Sequence, residues 1–191
     1  MDFGAVTLSV AAMIVIALRL VLPLTILRWP LAGGILALVI DAFDVVLVDA
    51  LAQLLGEPAE FGPAYAQIDK WLDTYYLGLE VIVVQRWPQP MLRSAATLLF
   101  VWRLAGVIAF EITGNRPLLV VFPNLFENFY LYVLIATRWF PRFLPRNTPQ
   151  LLLVLAVLMI PKAVQEWVLH YEELHPWQWF RNEVLLPLID R

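Results

Sequence analysis

The chain has 191 residues, 61% of them hydrophobic and 15% charged, with a mean hydropathy of +0.75; soluble domains run at roughly 45–50% apolar and about 25% charged. That composition points to a polytopic membrane protein, and the length to a single domain. A net charge of −3 with no basic stripe argues against nucleic acid as a partner, and the absence of cysteine excludes disulfides and thiolate metal or redox sites.

A hydrocarbon core about 30 Å thick needs about 20 apolar residues per helix. Six segments meet that length: 3–27, 31–55, 66–86, 91–114, 117–138 and 149–171. Pro and Gly punctuate every break: Trp29-Pro30, Gly56 to Pro63, Trp87-Pro88-Gln89-Pro90, Gly114-Asn115-Arg116-Pro117, and Pro141 to Pro149. The first segment lacks the basic start and the cleavage site of a signal peptide. The expected fold is all-α: a six-transmembrane-helix bundle with short loops over residues 1–175, followed by a short interfacial C-terminal segment, 176–191. That tail carries Trp177, Trp179 and Phe180 beside Arg181, Asn182 and Glu183.

Basic residues in short loops set orientation. The loops after the first, third and fifth segments hold Arg28, then Arg86 and Arg93, then Arg138, Arg142 and Arg146. The loop after the second holds Glu57 and Glu60 with no base. This places the odd loops in the cytoplasm and both termini outside a cell membrane. Arg28-Trp29-Pro30, Arg86-Trp87-Pro88 and Arg138-Trp139-Phe140-Pro141 repeat one boundary device: arginine for the last helix carbonyls and lipid phosphates, tryptophan for the headgroup level, proline to stop the helix.

Ionisable residues within such segments are costly and mark function by default. Counted at about 1.5 Å per residue, Asp41, Asp44, Asp73, Arg103, Asn124, Glu127 and Lys162 fall near and just outside the midplane, with Arg19 at a similar depth. Asp49, Asp69, Glu111, Glu166 and His170 fall further out, as an acidic outer vestibule. Helical spacing gives each set one face: Asp41 and Asp44; Asp69, Asp73 and Glu80; Asn124, Glu127 and Asn128; Lys162, Glu166 and His170. Pro123 and Pro161 sit within apolar segments, where each frees a backbone carbonyl. The acids are Asp41, Asp44, Asp49, Asp69, Asp73, Glu80, Glu111, Glu127 and Glu166, against Arg19, Lys70, Arg103 and Lys162. Expected pairings join Arg103 to Asp44 or Glu127, Lys162 to Asp73 or Asp41, and Arg19 to Asp41. The excess of acid calls for protons, a cation or a wet cavity to balance it.

Oxygen donors favour a hard cation such as Mg2+, with Asp41, Asp44, Asp69 and Asp73 as the candidate metal ligands. Glu166 and His170, with His175 nearby, form a weaker candidate zinc set. The two acid pairs, Asp41-x-x-Asp44 and Asp69-x-x-x-Asp73, are similar in placement to those of membrane CDP-alcohol phosphotransferases. The pattern of that family opens D-x-x-D-G-x-x-A-R and closes G-x-x-x-D-x-x-x-D. Val45, Val48 and Asp49 here replace its Gly, Ala and Arg, and Tyr65 its later Gly. The resemblance covers some 33 residues, is one of architecture, and implies divalent metal on the aspartates.

Three functions compete. In the first, Asp41, Asp44, Asp73, Asn124 and Glu127 form a cation or proton site of a small transporter or channel. In the second, the same aspartates hold Mg2+ in an enzyme acting on a lipid or isoprenoid phosphate headgroup, with Arg103, Lys162 and Arg116 on the phosphate. In the third, the polar layer only sets helix register in a structural or assembly subunit. The lipid bilayer is the expected partner, with homo-oligomerisation through small residues such as Gly33 and Ala37 or Ala105 and Ala109.

Overall fold

The computed structural model describes residues 8–57, 65–115 and 117–170, with the side chains of 65–67 and 165–170 outside the description. Every regular element among them is helical. α1 (Val10–Val21) is capped by Ser9, whose Oγ accepts from the Ala12 amide at 3.1 Å. It tightens at Pro23 into a 3-10 turn over Leu22–Leu27. α2 (Pro30–Ala42) opens on a proline at the one helical position where a missing N–H costs nothing. α3 (Asp44–Leu55) ends on Gly56, at φ +68°, a left-handed cap that glycine takes without steric cost. α4 (Tyr65–Val84), α5 (Pro90–Thr113), the short α6 (Leu118–Val121), α7 (Leu125–Trp139), a 3-10 turn over Pro141–Phe143 and α8 (Thr148–His170) follow among the described residues.

Three helical stretches are long and apolar enough to cross a membrane: Val10–Leu27, Pro90–Thr113 and Leu118–Trp139. The bent pair α2–α3 makes a fourth if it counts as one span. The six spans expected from sequence are therefore not all met. α4 has the length, 20 residues, but carries Asp69, Lys70, Asp73 and Glu80, and α8 is apolar over Thr148–Val164 alone.

Two of the expected continuous helices are broken. Segment 31–55 bends by 65° between Ala42 and Asp44, at Phe43 (φ −111°, ψ 10°), with no proline or glycine at the bend. The break falls between the two aspartates of the i,i+3 pair, and Asp44 receives the freed amide of Val45 on its Oδ1 at 2.6 Å. Segment 117–138 breaks at Phe122 to Asn124, where Pro123 can donate no hydrogen bond. Asn124 restarts the helix by accepting the Glu127 amide. The tail 176–191, like Arg116, Glu60 and His175, lies outside the described residues.

Polarity runs opposite to that of a water-soluble bundle. The buried set includes Arg19, Asp44, Asp73, Glu80, Arg103, Asn124, Glu127 and Lys162, while Leu98, Ile112, Leu153 and Ile160 are each more than 60% exposed. Only an apolar surround accepts that outer face without a hydrophobic penalty. The main core gathers α2, α4, α5 and α7 around Tyr76, Phe126, Phe129 and Tyr130. A smaller one packs Ala11, Ala12 and Val15 of α1 on Val48 and Ala52 of α3. Glu57, just past α3, accepts the Ala11 amide at 2.7 Å. This ties the end of α3 to the start of α1 and leaves the start of α3 beside Arg19.

Two glycines set the closest approaches. A Cβ on Gly33 would lie 2.6 Å from Ile26 Cα, and one on Gly106 would lie 2.7 Å from Phe122 Cγ. Helix α2 thus packs backbone to backbone on the 3-10 turn, and the backbone of α5 packs on the Phe122 side chain beside Pro123.

Candidate functional site: an acid cluster around Arg19

Arg19 stands in the last turn of α1, where its charge also complements the helix carbonyl end, and it is 3% exposed. Its Nη1 donates to Asp44 Oδ2 at 2.5 Å and to Asp69 Oδ1 at 2.7 Å. Its Nη2 donates to Asp41 Oδ1 and, at 2.7 Å, to Asp73 Oδ1. One guanidinium thereby collects carboxylates from both sides of the α2–α3 break and from two turns of α4. Lys70 adds a second cation, 2.7 Å from Asp69 Oδ2 and 2.9 Å from Asp73 Oδ2. Four carboxylates against these two cations leave a formal charge of −2 when all six groups are ionised.

Sequence depth had assigned Asp69 to an outer vestibule, but it shares the guanidinium with Asp41, Asp44 and Asp73. Of the two acids expected for Arg103, Glu127 feels its charge. Arg103 is buried and donates from Nη1 to the Phe122 carbonyl at 2.9 Å, at the break before Pro123, while its Nε is buried without a partner.

A second polar group lies along α4 and α7. The Tyr76 hydroxyl donates to Glu127 Oε1 at 2.9 Å, and Asn124 Nδ2 to Glu127 Oε2 at 3.1 Å. Buried Lys162 and Arg103 both act on Glu127 electrostatically. Glu80 is 0% exposed and neither carboxyl oxygen has a hydrogen-bond partner. It faces α2 and α7: a Cβ on Gly34 would stand 3.1 Å from Glu80 Oε1 and 3.1 Å from Tyr130 Cε1.

Asp69, Asp73, Tyr76 and Glu80 therefore form one stripe down α4, with Tyr76 between the Arg19 cluster and Glu127. Eleven residues of helix separate its ends, about 16 Å at the α-helical rise. Sequence reasoning missed the Tyr76 hydroxyl as a site member; the i, i+4, i+7, i+11 spacing was the signal that held it. Asp49 and Glu111, the other expected vestibule acids, are half-buried, and Glu111 Oε1 is buried without a partner. The side chains of Glu166 and His170 lie outside the described residues.

Oxygens of Asp41, Asp69 and Asp73 lie within 4.8 Å of one another, a hard-donor set suited in type to Mg2+ or Ca2+. The Arg19 nitrogens already bond all three, so a divalent ion would have to displace the guanidinium. A proton needs no such space. Comparison with family models, with curated proteins and with solved structures finds no match.

Proposed function

We propose that the chain is a six-span membrane protein whose acidic interior takes up and relays protons, as a small proton or cation transporter or channel. In this reading α4 and α8 cross the bilayer with the more apolar helices, α2–α3 is one broken span, and the termini are outside. The observation that carries it is the gathering of Asp41, Asp44, Asp69 and Asp73 on Arg19, with more acid than base. Chains of acids in a membrane interior serve proton and ion paths, and the Asp69–Asp73–Tyr76–Glu80 stripe gives such a chain a direction. Neither Glu80 oxygen is committed to a hydrogen bond, so this carboxyl is available at the inner end of the stripe.

A second reading, Mg2+-assisted chemistry on a lipid phosphate, draws on the proximity of Asp41, Asp69 and Asp73. One experiment separates the two. Protein is reconstituted into liposomes holding a pH-sensitive dye, with chelator on both sides, and its metal content is measured by elemental analysis. The proton reading expects potential-driven flux that survives chelation in metal-free protein. No flux above protein-free liposomes, with one divalent ion retained per chain, would replace it with the metal reading.

A further inference from the structure

The Arg-Trp-Pro boundary device occurs three times in the sequence, yet the structure treats the copies differently. Trp87 of the middle copy is buried and stacks on Tyr130 with ring centroids 6.0 Å apart. The other two copies meet: Arg28, Trp29 and Leu31 from the α2 entrance and Leu134, Arg138 and Trp139 from the end of α7 line one open pocket of about 580 Å³. Both tryptophans are exposed. No residue lining the pocket is acidic, so the two guanidinium groups meet no counter-charge from its walls.

Pro30, Leu31 and Ala32, at the start of the 13-residue helix α2, line the pocket, and no side chain caps that start. An uncapped helix start presents amide N–H groups and the positive end of the helix dipole, a setting suited to an oxyanion. Arginine adds planar, paired donors matched to phosphate geometry. Leu31 and Leu134 supply an apolar wall, and tryptophan is the side chain that favours the headgroup level of a bilayer.

We propose that this pocket is a binding site for an anionic phospholipid, its headgroup phosphate between Arg28 and Arg138 at the start of α2 and its acyl chains along Leu31 and Leu134. The occupant follows from charge and position: two cations, no acid, an uncapped helix start, and an apolar wall leading away from them. A soluble phosphate would use the cationic half alone and leave that wall uncovered.

The test is native mass spectrometry of the full chain, delipidated and titrated with phosphatidylglycerol or with phosphatidylcholine. Wild-type protein should retain phosphatidylglycerol preferentially, and Arg28→Gln/Arg138→Gln should lose that preference by about thirtyfold, the combined worth of two basic contacts at a lipid surface. Arg86→Gln/Arg142→Gln, which removes the same charge outside the pocket, should leave it unchanged. The single variants Arg28→Gln and Arg138→Gln should each show a partial loss, which keeps the test informative if the double variant misfolds. Equal retention of both lipids, an undiminished preference in the Arg28 and Arg138 variants, or displacement of bound lipid by inorganic phosphate would overturn the proposal.

Discussion

Arg19 Nη2 and Asp73 Oδ1 are 2.7 Å apart although 54 positions separate the two residues in sequence. This contact ties the end of α1 to the third turn of α4, and the same guanidinium reaches Asp41 and Asp44 on either side of the Phe43 break. One side chain thereby links α1, both arms of the bent segment 31–55, and α4.

Arg19→Met should be the most disruptive single substitution in the chain. Removing one partner from a buried ionic group costs about 3–5 kcal/mol, and here it leaves four carboxylates facing one another beside Lys70 alone. Thermal unfolding in detergent should show a large drop in midpoint. Arg19→Lys should recover only part of it, because a single ammonium lacks the forked donors that reach four acceptors. A midpoint within a degree or two of wild type for Arg19→Met would mean that the cluster does not hold the helices together.

Gly33→Ala and Gly78→Ala should have opposite effects. At Gly33 the new methyl would meet Ile26 backbone, which cannot rotate away, and overpacking of this kind costs about 1–3 kcal/mol. At Gly78 nothing lies within 4 Å, so alanine should be neutral or stabilise α4 by up to about 1 kcal/mol through helix propensity. Denaturant titration of the two variants checks the pair; equal effects would contradict the close packing of α2 on the 3-10 turn.

Glu80→Leu should raise stability and lower proton movement together. A buried polar group without a partner costs about 1–3 kcal/mol, and an apolar side chain of similar size removes that cost. The liposome assay on the same variant should show flux reduced at least tenfold. Flux at the wild-type rate would remove Glu80 from the path and end the stripe at Tyr76.

Asn124→Ala tests the restart of the helix after Pro123. Losing a side chain that accepts the Glu127 amide costs about 1 kcal/mol for a helix N-cap. Asn124 Nδ2 also holds Glu127 Oε2, so the loss should exceed that of an exposed cap. Asn124→Asp should keep the cap while setting a second acid beside Glu127, and should recover less stability than a simple cap model gives.

The all-helical fold, three or four of the six expected apolar spans, and the identity of the buried charges were legible in the sequence, because apolar runs and the cost of charge within them are local signals. The bend at Phe43 was not. No proline or glycine marks it, and it lies between Asp41 and Asp44, which converge on a residue more than twenty positions away. That Asp69 shares this residue was likewise not legible, because the contact joins α4 to α1 across fifty positions. Tyr76 was overlooked because an aromatic residue at helical spacing reads as core, and its ring is indeed core while its hydroxyl joins the polar stripe. The Arg28 and Arg138 pocket was half-visible: the sequence showed three copies of the boundary device but not which two meet.

The proposed proton movement rests on the acids gathered on Arg19. Its most direct test is potential-driven proton flux in liposomes for wild-type protein, Asp73→Asn and Asp41→Asn, each first shown to be folded by thermal unfolding in detergent. Wild type should give clear flux, and both variants at least a tenfold loss. Folded variants that conduct as wild type does, or a wild-type protein no more permeable than lipid alone, would contradict it.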